Sequence, residues 1–485
     1  MLLVGNFSQR LAWKELASVK SLTSKWFWSM DETSRLVSQA LDHIGYGSQM
    51  VRFRRDCWQQ YALLENDKKY HRAGRHLILA GSKAEGVTAF YENDIDHLYI
   101  LKDVMCVNGE EGLSYNASTV FQTDTHNAPP GYTKLKLVKL CRDRNTDLNM
   151  IKSAMFKDAD DNTCISSTFY MAEQRKEVQG RQSKLASQNT VSYGEAAGPA
   201  LPLSTSSLKV DVVTGICYLK PKVLQAWAKR NHTNGWPSSD VIKDIATRDC
   251  QVVPIGCRDT DTQFQDWRMC FIDSELQLIQ CLNTSQIKHY IILKQITRDI
   301  LKLASEEITS FIVKNVCFWM AELLPSTIFR EEKLIEMCIF SLTFLKHCIS
   351  SWNNLPYYMI PERNLLAGKI SHTDRRQLCS LLDELIMEGP RLVMRCTKIR
   401  LAMTAMYNIP GQLSVYSKKR DELESLKLQH ALANLARAYG EDTDGICDNL
   451  RFKMADIVLP EWKFMRHVGS DVKDIISDRV KQWLS

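Results

Sequence analysis

The sequence contains no CxxC pair, although it holds 15 cysteines, scattered from Cys57 to Cys447. An odd, widely spaced set excludes the framework of a small disulfide-stapled secreted domain and points to a reducing, cytosolic or nuclear compartment. Asn-x-Ser/Thr triplets such as Asn116-Ala117-Ser118 are therefore expected to go unused. Nor is there an apolar run near the roughly 18 residues that a membrane-spanning helix needs. The richest, Met337 to Leu345, is broken by Lys346. No small-residue cleavage site follows the short apolar start MLLV, so no secretory signal is expected. No internal repeat is evident. What is present is ordinary: 485 residues, 45% hydrophobic and 24% charged. That composition excludes wholesale disorder and collagen-like repeats, and the length suits two or three cores. With 62 Lys and Arg against 56 Asp and Glu, the net charge of +6 permits a nucleic-acid partner without demanding one.

The chain reads as three parts: a poorly specified lead-in over 1–30, a mixed α/β part over 31–272 and a helical part over 273–485. From Asp31 to about Arg75 the pattern is helical, with Leu36, Val37, Ala40, Leu41 and Ile44 at helical spacing and a cap at Asp31, Thr33 or Ser34. The segment is locally basic through Arg52, Arg54, Arg55, Lys68, Lys69, Arg72 and Arg75, which is either a solvated helix face or a binding face. HLILA, DHLYIL, YTKLKLVKL, SLKVDVV and CQVVPIG read as strands. Gln179 to Ser207, rich in Gln, Ser, Ala, Gly and Pro, reads as a long surface loop. After Asp273 helical spacing dominates, as in Leu378, Leu381, Leu382 and Leu385 before Gly389-Pro390, and in Leu428, Ala431, Leu432 and Leu435 before Gly440.

The informative segment is Gly81-Ser82-Lys83-Ala84-Glu85-Gly86, followed by Asp94-Ile95-Asp96. Glycine at a strand-to-helix turn lets the backbone approach phosphate oxygens, and the Ser82 hydroxyl can help to hold a triphosphate. Asp94 and Asp96 are two apart in an expected strand, so both carboxylates share a face. Two hard carboxylates side by side repel unless a divalent cation sits between them, and Mg²⁺ bridging to substrate phosphates fits. Asp211, between Val210 and Val212 of a second strand, supplies a third carboxylate. Three carboxylates and a Gly-Ser turn predict a two-metal phosphoryl-transfer site loaded with Mg²⁺ or Mn²⁺.

GSKAEG with NDIDHLYIL resembles the nucleotidyltransferase signature of the male-abnormal (Mab) family, which includes cyclic GMP-AMP synthase and its animal relatives. VDVV, KVLQAWAKRNHTNGWPS, CQVVPIG, DWRMCFIDSELQLI, ITSFIVKNVCFWMAE and LPYYMIPERNLL resemble that family's successive blocks in order, from about Arg75 to Pro390. The resemblance implies a bilobal α/β nucleotidyltransferase, with a mixed β-sheet and helices in the N-terminal half and a helical bundle in the C-terminal half. It assigns Asp94, Asp96 and Asp211 to metal binding and catalysis, and Gly81 and Ser82 to the phosphate turn. Arg268 is implied to contact a base, Lys294 and Ser310 to hold a donor triphosphate, and Glu275 to flank the nucleotide pocket. Phe311 stands where a base-stacking tyrosine is usual, which keeps the ring and loses the hydroxyl. Cys270 stands where a base-reading serine is expected, so the base preference is open. Only Cys281 follows Glu275 in the place of a His-Cys-Cys-Cys cluster, so no structural zinc is expected.

The basic helix from Arg52 to Arg75 resembles the spine on which such receptors bind double-stranded nucleic acid. Without a zinc thumb, double-stranded RNA, held by phosphate contacts across a minor groove, is the expected activator rather than DNA. The implied activity is a cytoplasmic innate immune receptor that joins ATP and a second nucleoside triphosphate, UTP or GTP, into a cyclic dinucleotide. The alternative is a catalytically silent family member serving as a scaffold or adaptor.

Overall fold

The computed structural model describes residues 29–67, 74–92, 94–109, 119–141, 146–185, 191–193, 199–205, 209–351, 353–459, 480 and 484. The strands are β1 (Arg75–Ala80), β2 (Ile95–Val107), β3 (Thr119–Asp124), β4 (Tyr132–Lys139), β5 (Met155–Lys157), β6 (Thr163–Ile165), β7 (Val191–Tyr193), β8 (Leu201–Thr205), β9 (Lys209–Tyr218), β10 (Cys250–Val253), β11 (Trp267–Cys270), β12 (Pro356–Tyr357) and β13 (Ile360–Asn364). The helices are α1 (Met30–Leu41), α2 (Ser48–Asn66), the single turn α3 (Gly81–Ala84), α4 (Thr146–Ser153), α5 (Ser167–Leu185), α6 (Lys222–Lys229), α7 (Ser239–Ala246) and α8 (Ile272–Gln280). They continue with α9 (Thr284–Asp299), α10 (Ser310–Leu323), α11 (Leu334–Ser350), α12 (His372–Glu388), α13 (Thr397–Asn408), α14 (Pro410–Ala438) and α15 (Asp444–Val458).

The chain forms two compact units, each assembled from separated segments. One holds the described residues up to Tyr46 with Lys222–Arg248 and Asp273–Leu413; the other holds those of Gly47–Pro221, Asp249–Ile272 and Ser414–Ser485. A single linear cut at residue 273 therefore misplaces α1, α6, α7 and the C-terminal helices. Which unit a helix joins depends on where its apolar face finds a partner, and local periodicity does not carry that information.

In the sheet-containing unit the strand order is β1-β2-β3-β4-β11-β10-β9-β8-β7, and β2 also pairs with β9. The path β2-β3-β4-β11-β10-β9 therefore closes on itself. β2 runs parallel to β3 and to β9, while the neighbouring pairs β1–β2, β3–β4 and β9–β10 are antiparallel, so the sheet is mixed. One face of β1 and β2 buries Leu77, Leu79 and Ile95 against Met50, Cys57 and Trp58 of α2 and Leu428 of α14. Each such side chain contributes about 1.5–3 kcal/mol relative to exposure. Leu423 and Leu426 of α14 pack with Leu450, Met454 and Val458 of α15.

In the other unit α9, α10 and α11 are buried on nearly every side. α10 and α11 read as largely hydrophobic because little of their surface meets solvent, while α9 carries buried polar side chains such as Lys288 and His289. A polar centre within this packing is Glu322, only 2% exposed. Its Oε2 accepts hydrogen bonds from Arg230 Nη2 at 2.8 Å and Tyr358 Oη at 2.7 Å. The Arg230 guanidinium also lies 4.5 Å from the Tyr358 ring centre and 4.9 Å from that of Trp319.

Two local expectations are corrected. The helical stretch over 31–75 is two helices, interrupted over Asp42–Tyr46 where Gly45 takes φ +87°, and the second ends at Asn66. The first is capped by Ser29, whose side chain accepts the Glu32 N–H at 3.3 Å. The loop expected over 179–207 instead holds the end of α5, then β7 and β8. Gln, Arg and Lys are good helix formers despite their polarity, and β8 exists through its antiparallel register with β9 (Leu203↔Val210).

Removing one partner of a buried charge pair leaves the other uncompensated, typically at about 3–5 kcal/mol. Glu322→Ala is therefore expected to lower stability by about that amount, read as a fall in the urea midpoint.

Candidate active site

β1 ends at Ala80, opposite Asp96 of β2, and the chain then turns at Gly81 with φ +67°. A Cβ at position 81 would lie 1.9 Å from Asp96 Oδ2. Glycine is required here twice, for the left-handed backbone and for the space the carboxylate occupies. β2 and β9 pair in parallel with Ile95 opposite Val210 and Asp96 opposite Asp211. Because side chains alternate, Ile95 and Val210 enter the cluster with Met50 and Trp58, while Asp96 and Asp211 point to the other face. Farther along that face lie Leu98, Ile100, Val213 and Val253. The apolar residues on both faces hold the register, and a one-residue slip would bury the carboxylates.

Asp94 is exposed, and Asp96 and Asp211 are partly so. Burial, and after it the charge of Asp94, push the Asp211 carboxyl above its ordinary value. These are hard oxygen donors with excess negative charge, a donor set that suits Mg²⁺ or Mn²⁺. Among the described residues no group of three or more His, Cys, Asp and Glu side chains stands ready to hold a metal. What the fold supplies is the paired Asp96 and Asp211, with Asp94 close enough to act on Asp211.

The turn after β1 is fastened by residues that sequence reasoning missed or read differently. Lys83, inside the Gly-Ser motif, is fully buried. Its Nζ donates to the Phe90 carbonyl at 2.6 Å and to the Ala89 carbonyl, so it closes the turn from within. Arg54, expected on a nucleic-acid face, is also fully buried and paired through both Nε and Nη2 with Glu424. That corrects its assignment, since a nucleic-acid phosphate cannot reach it. Arg55 is half-buried and donates to the Glu85 carbonyl at 2.7 Å. Arg75 is paired with Asp147. Arg52 is exposed, whereas Lys68, Lys69 and Arg72 lie outside the described residues. No pattern in the sequence distinguishes Arg54 from Arg52, because the difference is set by which side of α2 meets α14.

Arg268 lies on β11, half-buried, opposite Tyr132 of β4 and Val253 of β10. Glu275, Lys294, Ser310 and Phe311 belong to the helical unit. There Glu275 is buried and engaged at both oxygens, accepting from Lys314 Nζ at 2.6 Å and from Tyr357 Oη at 2.5 Å. The Phe311 ring is 5.6 Å from that of Tyr357, and Lys314 Nζ is 5.2 Å from the Phe311 ring centre. Glu275, Lys314, Tyr357 and Phe311 thus form one braced cluster, of which the sequence singled out two members. Ser310, the first residue of α10, is exposed, and Lys294 is half-buried with its Nζ 5.6 Å from the Tyr290 ring centre.

Two outcomes follow from this geometry. Gly81→Ala is expected to cost about 1–3 kcal/mol of stability through backbone strain. It should also displace the Asp96 carboxylate, lowering any transfer activity about a hundredfold, measured beside a thermal melt. Asp211→Asn is expected to abolish any transfer activity without lowering the melting temperature at neutral pH. A carboxyl whose value is raised by folding opposes folding above its ordinary value, and that penalty fades as pH falls through the raised value. Melts of the variant and the parent should therefore converge toward acid pH.

Residues 291–385, which span most of α9, all of α10 and α11, the β12–β13 hairpin and most of α12, match the Mab-21 protein HhH/H2TH-like domain. The match covers about a fifth of the chain. It supports membership of the Mab-21 family, whose fold is nucleotidyltransferase-like.

Proposed function

We propose that this chain is a nucleotidyltransferase that joins two nucleoside triphosphates, ATP and either UTP or GTP, into a cyclic dinucleotide. The activating ligand in this reading is double-stranded RNA, and the product serves as an innate immune second messenger. The observation that carries the catalytic part is the in-register pair Asp96 and Asp211 beside Gly81, whose missing Cβ leaves room for the Asp96 carboxylate. The match to the Mab-21 domain supports the family, and the resemblance of the spaced blocks supports the substrates.

In the reaction a ribose hydroxyl oxygen attacks the α-phosphorus, the bond to the bridging oxygen of the β-phosphate breaks, and pyrophosphate leaves. Two divalent cations held by Asp94, Asp96 and Asp211 would neutralise the triphosphate and acidify the attacking hydroxyl. Gly81 and Ser82 bring backbone and hydroxyl donors to the phosphates. Asp211, with its carboxyl raised by burial and by Asp94, takes the hydroxyl proton on its Oδ. Lys294 and Ser310 are assigned to the donor triphosphate, and Phe311 to stacking on a base. Arg52 on the exposed side of α2, with Lys68, Lys69 and Arg72 of the following segment, is assigned to RNA phosphates.

The test is a product assay with the full chain, labelled ATP, CTP, GTP and UTP, and Mg²⁺ or Mn²⁺. It is run with double-stranded RNA, with DNA and with neither, beside Asp94→Asn/Asp96→Asn. A phosphatase-resistant product that requires RNA and vanishes in the double variant is expected. Silence of the folded protein under every condition would favour the scaffold alternative.

A further inference from the structure

The turn joining β1 to β2 begins with Gly81 and Ser82 and leads toward Asp94 and Asp96. It is fastened by a helix far away in the chain. Glu424 of α14 accepts the Phe90 N–H at 2.8 Å, from 334 residues farther along. We infer that Glu424 is a positioning residue for the candidate active site, and that the C-terminal helices are a working part of the transferase rather than an appendage. The inference rests on the reading of the Gly-Ser turn as the phosphate-binding element of a nucleotidyltransferase.

Three features carry it. First, Glu424 is fully buried, and apart from Arg420 of its own helix its partners lie on the turn or on α2 beside it. Oε1 accepts from Arg54 Nε at 2.8 Å as well as from Phe90, and Oε2 accepts from Arg54 Nη2 at 2.6 Å and lies 3.1 Å from Arg420 Nη1. Burial would raise this carboxyl, but Arg54, Arg420 and the Phe90 N–H outweigh it and hold it below its ordinary value. Second, the same arginine reaches the turn directly, since Arg54 Nη1 donates to the Gly86 carbonyl at 3.4 Å. Gly86, with φ +74°, lets α2 approach, as a Cβ there would lie 2.4 Å from the Val51 carbonyl oxygen. Third, the peptide units at Phe90 are held on both sides, the N–H by Glu424 and the carbonyl by Lys83 Nζ.

Positioning and bulk stability differ here in magnitude. A buried ion pair gains little or nothing over apolar residues of similar volume, and α14 already buries Leu428 against Met50 and Trp58. Apolar contact alone would keep α14 in place. Charge-assisted hydrogen bonds add direction, and here they are aimed at backbone atoms of the turn that carries Ser82.

The experiment uses the full chain, Glu424→Gln and the milder Arg54→Lys. Amide hydrogen exchange is followed over residues 81–92 and, as an internal reference, over 209–218, at a temperature where each protein is folded by circular dichroism. Exchange over 81–92 is expected to rise about tenfold or more in at least one variant with 209–218 unchanged. In that variant kcat/KM for ATP is expected to fall about tenfold or more. Exchange over 81–92 that stays at the parent value, or rises only in step with 209–218, would overturn the positioning role. If the parent makes no nucleotide product, the proposed function fails, and the exchange comparison still decides whether Glu424 holds the turn.

Discussion

Two carboxylates directly opposite each other on neighbouring strands repel, and a sheet that keeps them there must be held in register by something else. In this protein that constraint organises the sheet-containing unit. Asp96 and Asp211 stay paired because Ile95 and Val210, one residue earlier on each strand, are committed to an apolar cluster on the opposite face. Farther along their own face, Leu98, Ile100 and Val213 are committed to another. The turn at Gly81 follows from the same constraint, since only a residue without a Cβ leaves the Asp96 carboxylate its place.

The basic helix before that turn shows how one residue type serves opposite ends. Arg52 and Arg54 are two positions apart, so about 200° of helical rotation separates them. Arg52 faces solvent, while Arg54 is sealed against Glu424 and the turn. Counting charge along the chain treats them alike. Burial makes one a surface group and the other the fastening of the candidate site. Lys83 follows the same logic, because it is a cation in a short polar motif, yet its ammonium is buried and closes the turn through two carbonyls.

In the helical unit, both oxygens of Glu275 are engaged. Lys314 and Tyr357 take both, and together they flank the Phe311 ring. A glutamate so engaged acts on its surroundings through the neighbours it orients. Its ring partner comes from the β12–β13 hairpin, within the stretch that matches the Mab-21 domain.

Much of the secondary structure was legible because periodicity is local. The strand at HLILA, the strand after Asp94, the strand around Asp211 and the leucine-spaced helix before Gly389 all carry their pattern in adjacent residues. The carboxylates and the Gly-Ser turn were legible because their chemistry depends on residue type and short spacing. Residue type and spacing were thus enough to nominate Asp94, Asp96, Asp211, Gly81 and Ser82 as candidates. It did not reveal that Asp96 and Asp211 share a register, that β8 pairs with β9 in an expected loop, or that Glu424 reaches back to Phe90. Those features are long-range pairings, and the free energy that selects them lies in burying faces that no local window of the chain can see together.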